Sequence, residues 1–240
     1  MIENYLIKSG NHKIDLHTNA VENPQKIILC LHGFNGDLWG DGFNKIRKAV
    51  DNILVCSFDS AGHGNSEIQS LDMRLELINK EICDVINHLV RKYPKAKIIV
   101  FAGSYGAYRT ITTLANYDLP NVEHVVFVNP AFNMIEILQR LKEFDYFKLD
   151  KNSVVPMKQS LNKYLSKKFL DDLYENDAYT LKFKPIPMTI FIGKQDSLIP
   201  RRDTLKFIEN HKCFVKYIED EHGIEKPENW QQIIEYLKQL

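Results

Sequence analysis

The chain has 240 residues, and its 31 Lys and Arg balance its 31 Asp and Glu. Zero formal charge gives no electrostatic footprint for nucleic acid or an anionic membrane. The 44% hydrophobic and 26% charged residues are a globular composition, not a disordered one, and the length suits a single α/β domain over 1–240.

The four cysteines, Cys30, Cys56, Cys83 and Cys213, form no CxxC and no Cys/His spacing suited to zinc, so reduced thiols in or near the core are expected. The start, MIENYLIKSGNHKIDL, lacks an apolar h-region and a small-residue cleavage site, which predicts no signal peptide. Apolar runs of about five residues cannot span a bilayer. A cytoplasmic protein is expected, with neither nucleic acid nor membrane as partner; the sequence assigns no oligomeric state.

In chain order, Tyr5–Lys8 and Lys13–His17, joined by Ser-Gly-Asn, predict a leading β-hairpin. Apolar, β-branched runs of strand length follow at Ile27–Leu31, Ile53–Phe58, Lys97–Ala102, Val122–Val128, Met188–Ile192 and Cys213–Ile218. Between them lie helical patterns. Leu71–Tyr93 sets Leu75, Ile78, Ile82, Val85, Ile86 and Leu89 on one stripe, and Ser104–Asn116 and Trp230–Leu240 read the same way. The alternation predicts βαβ units and a parallel sheet with helices on both faces.

One segment, Ala131–Lys184, has no convincing sheet strand. It carries helical patterns at Met134–Phe144, Met157–Leu165 and Lys168–Tyr174, and nine of the chain's 26 aromatics. Its position between two sheet strands predicts a helical cap insertion, at about 131–184, over a site.

Three motifs follow strands. Val100-Phe101-Ala102-Gly103-Ser104-Tyr105-Gly106-Ala107 runs from a buried strand through small-x-Ser-x-Gly into a helix. A nucleophile on a tight strand-to-helix turn requires small residues two before and two after it, and Ala102 and Gly106 stand there. The alternative role for Ser104 is an ordinary helix N-cap. His32-Gly33-Phe34-Asn35-Gly36 follows the Ile27–Leu31 strand. Acyl transfer needs two N–H donors aimed at one oxyanion; the backbone N–H groups of Phe34 and Tyr105 are the candidates. Asp59-Ser60-Ala61-Gly62-His63-Gly64-Asn65-Ser66 reads as a structural loop, although His63 is a tempting base.

Together with Gly193-Lys194-Gln195-Asp196-Ser197-Leu198-Ile199-Pro200 and Glu221-His222-Gly223, these motifs resemble the serine hydrolases of the α/β-hydrolase superfamily, specifically serine esterase- or lipase-like members with a helical cap. The resemblance covers nearly the whole chain. It implies an α/β-hydrolase fold with an eight-stranded, mostly parallel sheet and the chain order Ser, acid, His. It places the acid at Asp196, with Asp203 the poorer candidate. It leaves His211 and His222 for the base, of which His222 follows the last strand. Gly103 stands where many members have His. The implied activity is hydrolysis of carboxylic esters with small or medium acyl groups through an acyl-enzyme on Ser104, requiring no cofactor and no metal. A thioesterase, a lactonase or a peptidase/amidase would use the same triad. A non-catalytic ligand-binding protein on the same fold is the alternative from another class.

Overall fold

The computed structural model describes residues 2–157 and 163–240. The sheet elements and helices run, in order, β1 (Ile2–Ser9), β2 (His12–Asn19), β3 (Lys26–Leu31), α1 (Asp41–Ala49), β4 (Leu54–Phe58), α2 (Leu75–Lys92), β5 (Lys97–Gly103), α3 (Tyr105–Asn116) and β6 (Val122–Val128). After these come α4 (Met134–Lys142), β7 (Val154–Pro156), β8 (Tyr164–Ser166), α5 (Lys167–Glu175), β9 (Met188–Gly193), α6 (Arg201–Asn210), β10 (Phe214–Ile218) and α7 (Pro227–Gln239). Eight strands form one sheet in the order β1-β2-β4-β3-β5-β6-β9-β10. The β1/β2 and β2/β4 pairs are antiparallel and the rest parallel, as expected of the α/β-hydrolase fold.

Past their first lysine the central strands β3 and β5 are apolar because both faces of the sheet are covered there. Ile27, Leu29 and Leu31 of β3 join Ile98, Val100 and Ala102 of β5 in a cluster with α2 and α3. Ile28 and Cys30, with Ile99 and Phe101, face the opposite side and pack on Phe43 and Ile46 of α1 and Ile233 and Leu237 of α7. All four cysteines are free; Cys30, Cys56 and Cys83 are buried and Cys213 half-buried. Among the described residues no helix is long and apolar enough to cross a membrane.

Several boundaries differ from the sequence reading. The hairpin extends to a Ser9–His12 pair, so Ser9 belongs to the strand. Helix α2 begins at Leu75 rather than Leu71: Ser70–Asp72 is a 3-10 turn, Arg74 is extended, and Asp172 accepts the Leu75 N–H at 2.9 Å. That carboxylate, from α5, starts the helix from almost a hundred residues away. Helix α4 stops at Lys142 because Glu143 turns left-handed, its N–H on the Gln139 carbonyl. Helix α7 starts at Pro227, which needs no N–H acceptor in the first turn.

The segment between β6 and β9 is not purely helical. Residues 158–162 of the expected Met157–Leu165 helix lie outside the described residues, and Tyr164–Ser166 is a strand paired antiparallel with Val154–Pro156. Met157 N–H donates to the Lys163 carbonyl at 2.8 Å, and Tyr164 N–H to Ser70 Oγ at 3.1 Å, so the ribbon is pinned on the 3-10 turn. The segment is also tied down elsewhere. Arg74 meets Asp172 through two bonds of 2.7 Å, and Tyr108 Oη donates to the Asn176 carbonyl at 2.9 Å. Its aromatics divide between roles. Phe132 and Phe169 are fully buried, whereas Tyr146, Phe147 and Tyr174 cluster together with Phe147 75% exposed.

Candidate active site

Ser104 joins β5 to α3 with φ 50° and ψ −120°, a conformation that costs a non-glycine residue about 1–3 kcal/mol. The surroundings enforce it. Ser104 N–H donates to the Val128 carbonyl at 3.1 Å, and the Ser104 carbonyl accepts from Ala107 N–H at 3.0 Å and Ala131 N–H at 3.1 Å. A Cβ on Gly106 would lie 2.4 Å from the Leu31 oxygen, so the close approach of α3 to the end of β3 demands glycine there. A Cβ on Gly103 would meet only the Val128 oxygen, at 3.7 Å, so that position has room for a side chain.

The His32–Gly36 loop lies against the serine: a Cβ on Gly33 would stand 3.4 Å from Ser104 Cβ. Phe34 sets its ring edge-on to Tyr105 at 5.3 Å and to His63 at 5.4 Å. Tyr105 is the first residue of α3, where backbone N–H groups have no intrahelical acceptor. His32 is buried and neutral. Its Nδ1–H donates to the Gly33 carbonyl at 2.8 Å, its Nε2 accepts from Ser60 N–H at 3.2 Å, and burial, with Arg109 adding to it, holds its pKa well below the ordinary value.

The carboxylate and histidine candidates meet. Asp196 Oδ2 accepts from His222 Nδ1–H at 2.8 Å, and Asp196 Oδ1 accepts from the N–H groups of Leu198 and Ile199 at 2.9 Å each. The tautomer that this bond selects leaves Nε2 of a neutral His222 as the free acceptor. Asp196 is 6% and His222 22% exposed at the side chain. Asp203 lies in α6, 3.7 Å from Arg202, its carboxyl pushed up by burial and then by Glu136. His211 stacks between Phe207 and Phe183 and is not joined to Asp196. His63 donates Nδ1–H to the Ala61 carbonyl at 2.9 Å and bonds no carboxylate among the described residues; burial, with Arg109 adding, pushes its pKa down to about 3.

Three residues to which the sequence reading gave no role shape this edge. Glu81, fully buried in α2, accepts from Ser60 Oγ at 3.0 Å, Ala61 N–H at 2.9 Å and His12 Nε2 at 2.9 Å, anchoring the loop after β4. Arg109, fully buried in α3, donates to the His32 carbonyl at 2.6 Å with its guanidinium 5.1 Å from the Tyr105 ring centre. Asn129 follows β6 with φ 44°; its amide oxygen accepts from Gly193 N–H at 2.6 Å, and its nitrogen donates to the Glu221 and His222 carbonyls at 2.9 Å each. A polar residue on an otherwise apolar stripe was the available signal for Glu81, and an Asn at a strand end before Pro for Asn129.

This sheet and this edge define an α/β-hydrolase. Residues 22–181 match the family described as serine aminopeptidase, S33. The chain belongs to that family of hydrolases. No curated protein matches it in sequence. Among solved structures it is similar to Est1E from Butyrivibrio proteoclasticus with ferulic acid bound, at TM-score 0.82 and 18% identity, covering 98% of this chain and 96% of that one. A putative hydrolase from Agrobacterium vitis matches at 0.81 and 16%, over 100% and 98%. An esterase of Pyrococcus furiosus matches at 0.74 and 17%, over 100% and 91%.

Proposed function

We propose that the protein is a serine hydrolase that cleaves carboxylic esters of small or medium acyl groups. The observation that carries the reading is Ser104 held at positive φ on the strand-to-helix turn, on the same sheet edge as a hydrogen-bonded Asp196–His222 pair. Ser104 Oγ attacks the ester carbonyl as His222 Nε2 takes its proton. Asp196 keeps Nδ1 protonated and stabilises the imidazolium. The N–H groups of Phe34 and Tyr105 receive the oxyanion, a contribution of about 3–4 kcal/mol for each donor. His222 returns the proton to the leaving alkoxide. It then takes one from the water that attacks the acyl carbonyl and gives it to Ser104 Oγ as the acyl–oxygen bond breaks and the acid leaves. The segment between β6 and β9 serves as a cap that reads the acyl chain and leaving group.

Esters are favoured over other acyl derivatives because a similar fold belongs to an esterase of Pyrococcus furiosus, and Est1E, also of similar fold, holds ferulic acid. Amide cleavage is the second reading, on the strength of the family's description as an aminopeptidase. Parallel assays on 4-nitrophenyl acyl esters and aminoacyl 4-nitroanilides separate the two. The proposal expects ester turnover, with fluorophosphonate labelling of the wild type and none of Ser104→Ala. Equal labelling of both proteins, or anilide turnover alone, would sink it.

A further inference from the structure

The loop that carries His222 is held by its carbonyls. Lys194 N–H takes the Ile218 oxygen at 2.9 Å and Gln195 N–H the Asp220 oxygen at 3.0 Å. The next two, of Glu221 and His222, both go to the side-chain nitrogen of Asn129, at 2.9 Å each. Among the described residues no other donor reaches the His222 carbonyl. Asn129 is itself fixed from β9: its N–H donates to the Phe191 carbonyl at 2.9 Å and its Oδ1 accepts from Gly193 N–H at 2.6 Å. The joint is tight, since a Cβ on Gly193 would lie 2.7 Å from the Asp220 oxygen, 2.8 Å from the Glu221 oxygen and 3.1 Å from Asn129 Nδ2.

We propose that Asn129 is a positioning residue for the catalytic base, setting the backbone of His222 so that Nε2 faces Ser104. This rests on the reading of His222 as the base. The two loops of the pair are also joined by the Lys194 N–H to Ile218 and Gln195 N–H to Asp220 carbonyl bonds, neither of which reaches the backbone of His222 itself. Asp196 is held by the Leu198 and Ile199 N–H groups. Asp220 organises the far side of the loop through Glu221, Glu225 and Lys226 N–H groups and Asn229 Nδ2. Among the described residues it is Asn129 that ties the histidine's own carbonyl to the strand ends beside Ser104, whose N–H bonds the carbonyl of Val128, the residue just before Asn129. The position demands an amide. It needs two donors and one acceptor on one short side chain in a buried place, at a positive φ that asparagine tolerates. Aspartate has the same shape but would face two carbonyl oxygens with acceptors.

The test compares full-length Asn129→Asp and Asn129→Ala with the wild type. The first readout is the low-field proton resonance of His222 Nδ1–H, which exists without turnover and is identified by its loss in Asp196→Asn. It should broaden or move upfield in both variants. The second is 4-nitrophenyl ester hydrolysis: kcat should fall about 100-fold, the scale for a catalytic group displaced by about 1 Å, with KM within about threefold. Relative to wild type, Asn129→Asp should recover as pH is lowered from about 8 to 5, because the protonated carboxyl regains one donor. Folded variants that keep kcat within about threefold and retain the resonance would overturn the proposal. So would losses that match the unfolded fraction by circular dichroism, or failure of both variants to fold, which assigns Asn129 to the fold alone. A wild type without ester turnover defeats the reading of the site instead, and the resonance still tests the joint.

Discussion

Replacing Gly106 with alanine perturbs the site through one carbon atom. The added Cβ would lie 2.4 Å from the Leu31 oxygen, 3.1 Å from its carbonyl carbon and 3.0 Å from the His32 oxygen. All three are backbone atoms, so no side-chain rotation relieves the contact. Ordinary separations of roughly 3.5 Å require a movement of ~1 Å between α3 and the end of β3. That movement changes the relation of the Phe34 loop to the start of α3, the two sources of the proposed oxyanion donors. Overpacking of this kind costs about 1–3 kcal/mol. At about 2–4 °C per kcal/mol for a chain of this size, Tm should fall by roughly 2–12 °C. The misplacement itself should lower kcat about 100-fold. The matched control is Gly103→Ala, whose Cβ meets only the Val128 oxygen at 3.7 Å. It should keep kcat within about threefold, since 3.7 Å is an ordinary contact. Both variants are measured by ester hydrolysis and thermal melts monitored by circular dichroism. Wild-type activity in Gly106→Ala, or equal damage from the two substitutions, would refute the steric account of the turn.

Two further outcomes follow from the site. Asp196→Asn preserves the shape of the pair but favours the wrong His222 tautomer, so kcat should drop by about 10⁴ with little change in KM; a loss below tenfold would remove Asp196 from the role of orienting acid. His63 gives a pH dependence of stability. Its folded pKa is depressed to about 3 by burial, so the native state refuses a proton that the unfolded chain accepts near its ordinary value of 6.5. The stability it contributes is present above 6.5 and is lost as pH falls toward 3, at about 1.4 kcal/mol per pH unit. Denaturant unfolding of His63→Asn between about pH 7 and 4 should show a shallower decline than wild type, and parallel declines would show that His63 does not set the acid limit.

The positions of the strands and the turn at Ser104 were legible because each rests on local patterning, whereas the order of the strands in the sheet was not read from the sequence. The Lys97–Ala102 run is apolar at every place that two helix layers cover, and the small residue at 106 stands where the backbone of β3 leaves no space. The Asp196–His222 pairing was legible through the family resemblance, which implies the chain order Ser, acid, His, with both residues standing after strands. What stayed hidden depends on partners distant in sequence. Nothing near Leu75 announces that Asp172 starts its helix, and nothing near Glu81 shows that it collects donors from Ser60, Ala61 and His12. The ribbon of Val154–Pro156 and Tyr164–Ser166 is three residues per strand, too short for an alternating signal, and is held by Ser70 from outside the segment. The aromatic excess of Ala131–Lys184 does not by itself mark a substrate pocket, since Phe132 and Phe169 fill the core and Phe147 faces solvent.

The claim at the centre of the account is that Ser104 is the nucleophile. Rapid acid quenching of the enzyme during turnover of a slowly deacylating 4-nitrophenyl ester, followed by intact-mass and peptide mass spectrometry, tests it most directly. The account predicts one added acyl group per chain, located on the peptide that contains Ser104 and absent from Ser104→Ala. An adduct on another residue, or undiminished turnover by Ser104→Ala, would contradict it.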